Sequence, residues 1–154
     1  MSPSRPDELT LVILKPDALR APPEIRVQIL LRLVTLHLLP VIIDVRRPDR
    51  RVIEEHYVEH VGREHYPWLI EFFQSGPIIV AVFRGPKAVA LVREALGHRT
   101  PEEAALGTIR RDFSAHVEDN PCSNLVHASA SLGAAEREIS LWFGPLGRHL
   151  LRNR

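Results

Sequence analysis

Residues 9–15, LTLVILK, form an apolar run rich in branched side chains that closes on a lysine. Such a run predicts a buried strand, and Pro16 blocks further pairing. In PPEIRVQILLRLVTLHL (22–38), Ile25, Ile29, Leu33 and Leu36 recur at helical spacing behind two prolines, predicting a helix with one apolar face. PVIIDVRR (40–47) reads as a second strand. DRRVIEEHYVEH (49–60) opens on an aspartate suited to an N-cap and predicts a helix. A second short helix is expected over 63–75, stopped by Gly76 and Pro77. PIIVAVFRG (77–85) repeats the buried-strand pattern, and PKAVALVREALG (86–97) has a proline near a helix start and Gly97 as its C-cap.

The pattern fades over 98–123, a turn-rich stretch of the length that usually carries function inside a compact domain. NLVHAS (124–129) reads as a short fourth strand, GAAEREISLWF (133–143) as a helix, and the rest as a Pro- and Arg-containing tail. Short buried strands alternating with helices predict an α/β (α+β) sandwich. A ferredoxin-like βαββαβ arrangement is the simplest, an antiparallel four-stranded sheet with its helices on one face. The 154 residues suit a single domain over 1–154.

Composition narrows the partners. The net charge of +1 argues against general binding to nucleic acid or an anionic membrane. Phosphate binding remains open, because it needs only a few placed cations. One cysteine, Cys122, excludes an intrachain disulfide and fits a reducing cytoplasm. The opening MSPSRPDE lacks an apolar signal core, and no apolar stretch reaches the length of a membrane span.

His127 is the first candidate for chemistry. A lone histidine on a strand is more often structural than catalytic. Here Asn124 and Ser129 bracket it, and Glu138 lies on the following helix. A carboxylate that holds one imidazole nitrogen fixes the tautomer and frees the other to attack. Lys15 ends the first strand, where a cation would face a cleft at the sheet edge. Arg93 and Arg110 are candidate phosphate clamps, since guanidinium forks match phosphate oxygens. No Walker loop, GxGxxG, zinc spacing or GxSxG occurs, so a phosphate site here must rest on side chains.

Together TLVILKPDALR, EEHYVEH, FQSGPIIVAVFRG, GTIRRDF, NLVHASAS and AEREISLWF resemble the nucleoside diphosphate kinase family, in the right order from about Leu9 to Phe143. The family signature N-x-x-H-[GA]-S-D falls on Asn124 to Ala130. The resemblance implies ping-pong transfer of a γ-phosphate through phosphohistidine at His127, with nucleoside triphosphates and diphosphates as partners. It implies Mg2+ carried by the nucleotide phosphates rather than by protein ligands, and a homo-oligomer, hexamer or tetramer. Carried over by position, Glu138 and Ser129 support the histidine, and Tyr57 sets its hydroxyl near the transferred group. Lys15 and Asn124 meet the sugar, and Lys15 also reaches the terminal phosphate. Arg93 and Arg110 hold the β- and γ-phosphates. His60 stands near the α-phosphate, and Val117 covers the base.

The chain departs from the family pattern at four places. His65 replaces a base-stacking phenylalanine, and Arg99 a phosphate-contacting threonine. The loop before Asn124 is about four residues longer, by comparison with the family pattern. Ala130 replaces the signature aspartate, whose lost local hydrogen bond costs about 0.5–1.5 kcal/mol. Ala128 for glycine is mild if its φ is negative. Beside an active kinase, these departures leave open a catalytically weakened nucleotide-binding or scaffold protein that keeps the fold.

Overall fold

The computed structural model describes residues 6–154; the first five residues of the opening stretch read above for a signal core lie outside them. Four strands form one antiparallel sheet in the order β2-β3-β1-β4. β1 is Glu8–Leu14, β2 Leu39–Arg46, β3 Ile78–Gly85 and β4 Val126–Ala128. The helices are α1 (Pro16–Arg20), α2 (Pro23–Val34), α3 (Arg50–His56), α4 (Tyr66–Gln74), α5 (Ala88–Leu96), α6 (Ile109–Asp112) and α7 (Leu132–Arg152). This is the ferredoxin-like βαββαβ order, with α3 and α4 in the β2–β3 connection.

Helices cover both faces of the sheet, which corrects the one-face expectation. Val12, Leu14, Ala81 and Phe83 pack with Ile29 and Leu33 of α2 and Val92 of α5. Leu11, Ile13, Val80 and Val82 pack with Ile53 of α3, Phe73 of α4 and Ile139 of α7. With one face bare, half of each central strand would meet water, and the unbroken apolar runs of β1 and β3 would have no physical use. The edge strand β2 differs: Leu39, Ile43 and Val45 are 60%, 49% and 62% exposed.

Asp49 caps α3, its side chain accepting from the Arg51 backbone N–H at 2.7 Å. α3 ends at His56, earlier than expected, and residues 58–60 form one tighter turn. α2 stops at Val34, and His37 takes a positive φ before β2. The expected tail is helical. α7 breaks at Gly144 (φ 52°), and Pro145 restarts it as the first-turn proline of a second segment. Apolar spacing carries no trace of that restart. α1 also went unforeseen, since five residues are too few to display a period.

Candidate active site

β4 is short, but its register fixes the site. His127 pairs with Ile13, so its side chain joins the face of the sheet covered by α3, α4 and α7. On α7, Ala135, Glu138, Ile139 and Trp142 form one buried stripe at helical spacing. Glu138 is thus a carboxylate set into an apolar face, and it sits under His127.

His127 Nε2 lies 3.3 Å from Glu138 Oε2, and the Ser129 hydroxyl donates to the same oxygen at 2.6 Å. The Ser129 oxygen in turn accepts from the Leu11 N–H at 3.1 Å, which ties the group to β1. Burial pushes the Glu138 carboxyl up, but the hydrogen bond and charge of His127, then His56 and Ser129, outweigh it and bring it down to about 2. Glu138 is therefore ionised and only accepts. His127 Nε2 carries the proton, and Nδ1 keeps its lone pair.

His56 and Tyr57, at the end of α3, wall the other side. The His56 ring stands edge-on to His127, centroids 4.6 Å apart, and Tyr57 is 6.3 Å from it. Burial, then the neighbouring His127, lowers His56 to about 3, so it is neutral. Burial pushes the Tyr57 phenol above its usual range, which keeps its proton.

Cations gather around this core. Lys15 is buried and donates to the Cys122 carbonyl and to Asn124 Oδ1, the latter at 2.9 Å. Burial lowers it to about 8. Asn124 reaches onward, its Nδ2 donating to the Arg99 carbonyl at 3.0 Å. Arg110 donates to the carbonyls of Gly97 (3.0 Å) and Val126 (2.6 Å), which locks the guanidinium beside β4. Burial, then Arg93, brings it down to about 10, still charged at neutral pH.

Three openings meet at His127; one, beside His56 and Tyr57, has Glu59 and Glu138 in its lining, and the other two are rich in cations. The first of these two, about 560 Å³, is lined by Arg93, Arg99, Arg110, His60, Tyr57 and Ala130 among others. The second, about 520 Å³, adds Lys15, His65 and Asn124. Neither has an acidic residue in its lining. His60 Nδ1 and His65 Nε2 meet at 2.8 Å at this mouth. Val117 does not join them: it packs against the apolar cluster beneath α2 and α5 and lines neither opening. Ala128 is not among the positive-φ residues, so its methyl is unstrained.

Sequence reasoning missed three supporting residues. Asp17, buried, accepts from Ser123 Oγ (2.5 Å) and from the Leu125 N–H (2.9 Å), which pins Leu125 at φ 70° between Asn124 and His127. His56 and Trp142 form the other pair, the indole N–H donating to His56 Nδ1 at 2.9 Å. The signal for Trp142 was present, because it shares the periodic stripe of Glu138. Asp17 and His56 gave none beyond their neighbours.

A ferredoxin-like sheet that presents a carboxylate-held imidazole on its edge strand to a cation-lined cleft defines a class of α/β protein whose site is suited to an anionic ligand. The family model described as nucleoside diphosphate kinase matches residues 8–146. A nucleoside diphosphate kinase of Rhodococcus erythropolis is 42% identical over 140 residues, 90% of this chain and 96% of that protein. One from Cutibacterium acnes is 42% identical over 137 residues, 89% of this chain and 95% of that one. Among solved structures, the nucleoside diphosphate kinase of Aquifex aeolicus aligns with a TM-score of 0.82 at 33% identity, over 92% of this chain and 98% of that one. The apo enzyme of Encephalitozoon cuniculi aligns with a TM-score of 0.82 at 30% identity, over 89% of each chain. The chain belongs to the nucleoside diphosphate kinase family.

Proposed function

We propose that this chain moves the γ-phosphate of a nucleoside triphosphate to a nucleoside diphosphate through a phosphohistidine on His127. The observation that carries the reading is the hold of Glu138 on Nε2, which leaves the Nδ1 lone pair for a cleft lined by cations. Nδ1 attacks the γ-phosphorus, the bond to the β-phosphate oxygen breaks, and the diphosphate leaves with that electron pair. In the second half, a terminal oxygen of the incoming diphosphate attacks, and the P–N bond breaks. Glu138 offsets the positive charge that the ring gains while phosphorylated. Arg93, Arg99 and Arg110 neutralise the phosphate oxygens, which is most of what phosphoryl transfer asks of a protein. Lys15 and Asn124 meet the sugar hydroxyls and the terminal phosphate, His60 the α-phosphate, and Tyr57 the transferred group. His65 stacks on the base, and with no base-edge reader among these residues, base tolerance is broad.

The lining of the two cation-rich openings suits a divalent ion only if it arrives on the nucleotide, since no carboxylate there would ligate it. Mg2+ bound in that way would supply further neutralisation of phosphate charge, beside the arginines. The whole chain acts as one domain in the cytoplasm, in keeping with a single free cysteine. No described helix is long and apolar enough to cross a membrane. It assembles with copies of itself through β2 and α2, whose Leu39, Ile43, Val45, Val27 and Leu31 stand in water in the monomer.

The test is acid-labile, base-stable labelling from γ-labelled ATP with Mg2+, for the wild type and His127→Ala. Label on the wild type alone, discharged by GDP or UDP, is the expected result. An unlabelled wild type that still binds nucleotide sinks the reading and makes the chain a weakened binding protein.

A further inference from the structure

Glu138 has two oxygens, and only one is used by the nucleophile and Ser129. Oε2 accepts from His127 and Ser129; Oε1 faces His56 Nε2 at 3.9 Å. What His56 offers that oxygen is decided on its far side. The Trp142 indole nitrogen lies 2.9 Å from His56 Nδ1, and an indole N–H only donates. Nδ1 must therefore hold its lone pair, and in the neutral ring the proton sits on Nε2, toward Glu138. The same ring lies 4.6 Å from His127 at an interplanar angle of 77°, and 4.5 Å from Tyr57 at 72°. His56 and Glu138 are each 4% exposed, so no water competes freely for these dipoles.

We propose, building on the phosphohistidine reading above, that His56 and Trp142 are a positioning pair for the nucleophile. Trp142 sets the tautomer of His56. His56 then turns an N–H dipole toward Oε1 of Glu138 and props the ring plane of His127 so that Nδ1 faces the cleft. Neither residue lines the two cation-rich openings; His56 lines the third, against Glu138 and Arg137, and Trp142 lines none of the three.

Neutrality at position 56 is part of the device. The phosphorylated His127 ring carries positive charge beside Glu138, and a second cation 4.6 Å away would oppose its formation. The charged groups around His56 pull both ways: Glu138 from α7 favours its proton, while His127 from β4, Arg137 from α7 and His60 oppose it, and burial decides for the neutral ring.

The three groups His56, His127 and Glu138 also have the composition of a metal cage, with ligand atoms within 4.8 Å of one another. The indole argues against that use. A metal on His56 Nε2 would force the proton onto Nδ1, where it would collide with the Trp142 N–H. The cluster is built to hold protons in place.

The experiment uses full-length protein. Imidazole 15N chemical shifts of the wild type report the tautomer directly: His56 is expected with Nδ1 bare and Nε2 protonated from pH 5 to 8. A His56 protonated on Nδ1, or one that titrates near neutral pH, overturns the proposal without any variant. Single-turnover phosphorylation of His127 is then compared for Trp142→Phe, His56→Leu and His56→Gln. His56→Leu is expected to slow phosphorylation about 10- to 100-fold with little change in nucleotide KM, as for other groups that orient a reacting histidine. His56→Gln, whose amide N–H2 can occupy the place of Nε2–H, restores most of the rate. Trp142→Phe, which removes the N–H that sets the tautomer of His56, is expected to slow phosphorylation as His56→Leu does, with little change in nucleotide KM. Rates equal to wild type in folded variants overturn the pair. Failure of the phosphohistidine reading itself is separate, since then the wild type takes no label.

Discussion

Ser129 and Glu138 are joined by a 2.6 Å hydrogen bond from hydroxyl to carboxylate, and the oxygen that accepts it is the one His127 uses. The serine thus aims the carboxylate, and the carboxylate aims the imidazole. Removing the hydroxyl with Ser129→Ala forfeits a charge-assisted bond of about 1.5–3 kcal/mol. If that is felt in the transition state, phosphorylation slows roughly 10- to 100-fold. Glu138→Gln, which removes the charge opposite the phosphorylated ring, is expected to slow it by at least as much. Rapid-quench labelling of both variants checks this, and an unimpaired Glu138→Gln would remove the carboxylate from the mechanism.

Lys15 gives a prediction in which activity and stability move in opposite directions. Burial lowers its pKa from 10.5 to about 8, so above pH 8 the native protein loses the charge that faces nucleotide. kcat/KM, which reports the free enzyme, should fall by up to about tenfold per pH unit there. The unfolded chain keeps that proton up to 10.5, so between pH 8 and 10.5 it binds more protons than the native state. Lys15 therefore makes stability rise through this window. Lys15→Met should lower activity throughout and flatten both slopes, as read by kinetics and by urea midpoints over pH 7–10.5.

Acid has the reverse effect on the buried pair. His56 is held at about 3 and Glu138 at about 2, both below their ordinary 6.5 and 4.5. The unfolded chain takes up these protons first as pH falls. Stability contributed by His56 is full above 6.5 and is lost from there down to about 3; that of Glu138 is lost between 4.5 and about 2. Each group contributes a slope of roughly 1.4 kcal/mol per pH unit at most within its window. Urea titrations of the wild type and His56→Gln from pH 7 to 4 should diverge, the variant losing less. Parallel curves would mean that His56 is solvated and titrates normally.

The core strands and most helices were legible because burial writes itself as periodicity: two-sided burial as the unbroken runs of β1 and β3, one-sided burial as the stripe of α2. The faces covered were misjudged, although the unbroken runs carried that information. Elements held by tertiary contact left weaker marks. α1 and α6 are one turn long, and the restart at Pro145 depends on Gly144 taking a positive φ. Within the site, His127, Lys15, Asn124, the arginines and Glu138 were picked out through the motifs that carry the family resemblance, and Glu138 also through its place on the helix after His127. Asp17 and His56 act through backbone or other side chains at long sequence separation, 108 residues from Asp17 to Leu125 and 86 from His56 to Trp142. No local pattern encodes such pairs.

The bare apolar edge of β2 predicts its own cover. Ile43 and Val45 project into water from a strand with one unpaired edge, a surface that associates unless paired. Ile43→Asp with Val45→Lys should shift the protein to a smaller species in sedimentation, with His127 still labelled at some rate. A wild type that sediments as a monomer at micromolar concentration would remove the self-association reading.

Ala130 lies just before the α7 N-cap, Ser131, whose hydroxyl accepts from the Ala134 N–H at 3.1 Å, and it also lines the larger cation-rich opening. Restoring an acid there with Ala130→Asp therefore has two effects of different sign. A carboxylate beside the positive end of a helix stabilises by about 0.3–1 kcal/mol, which for a chain of this size raises Tm by roughly 1–4 °C. The same charge at the wall of a phosphate cleft repels nucleotide before the histidine is reached, so KM should rise unless Arg93, Arg99 or Arg110 takes up the new carboxylate. Thermal melts and initial-rate kinetics on the one variant separate the two effects. A higher Tm with an unchanged KM would mean that the new side chain turns to the helix end and away from the cleft. A lower Tm would mean that the alanine is already the better residue for this backbone.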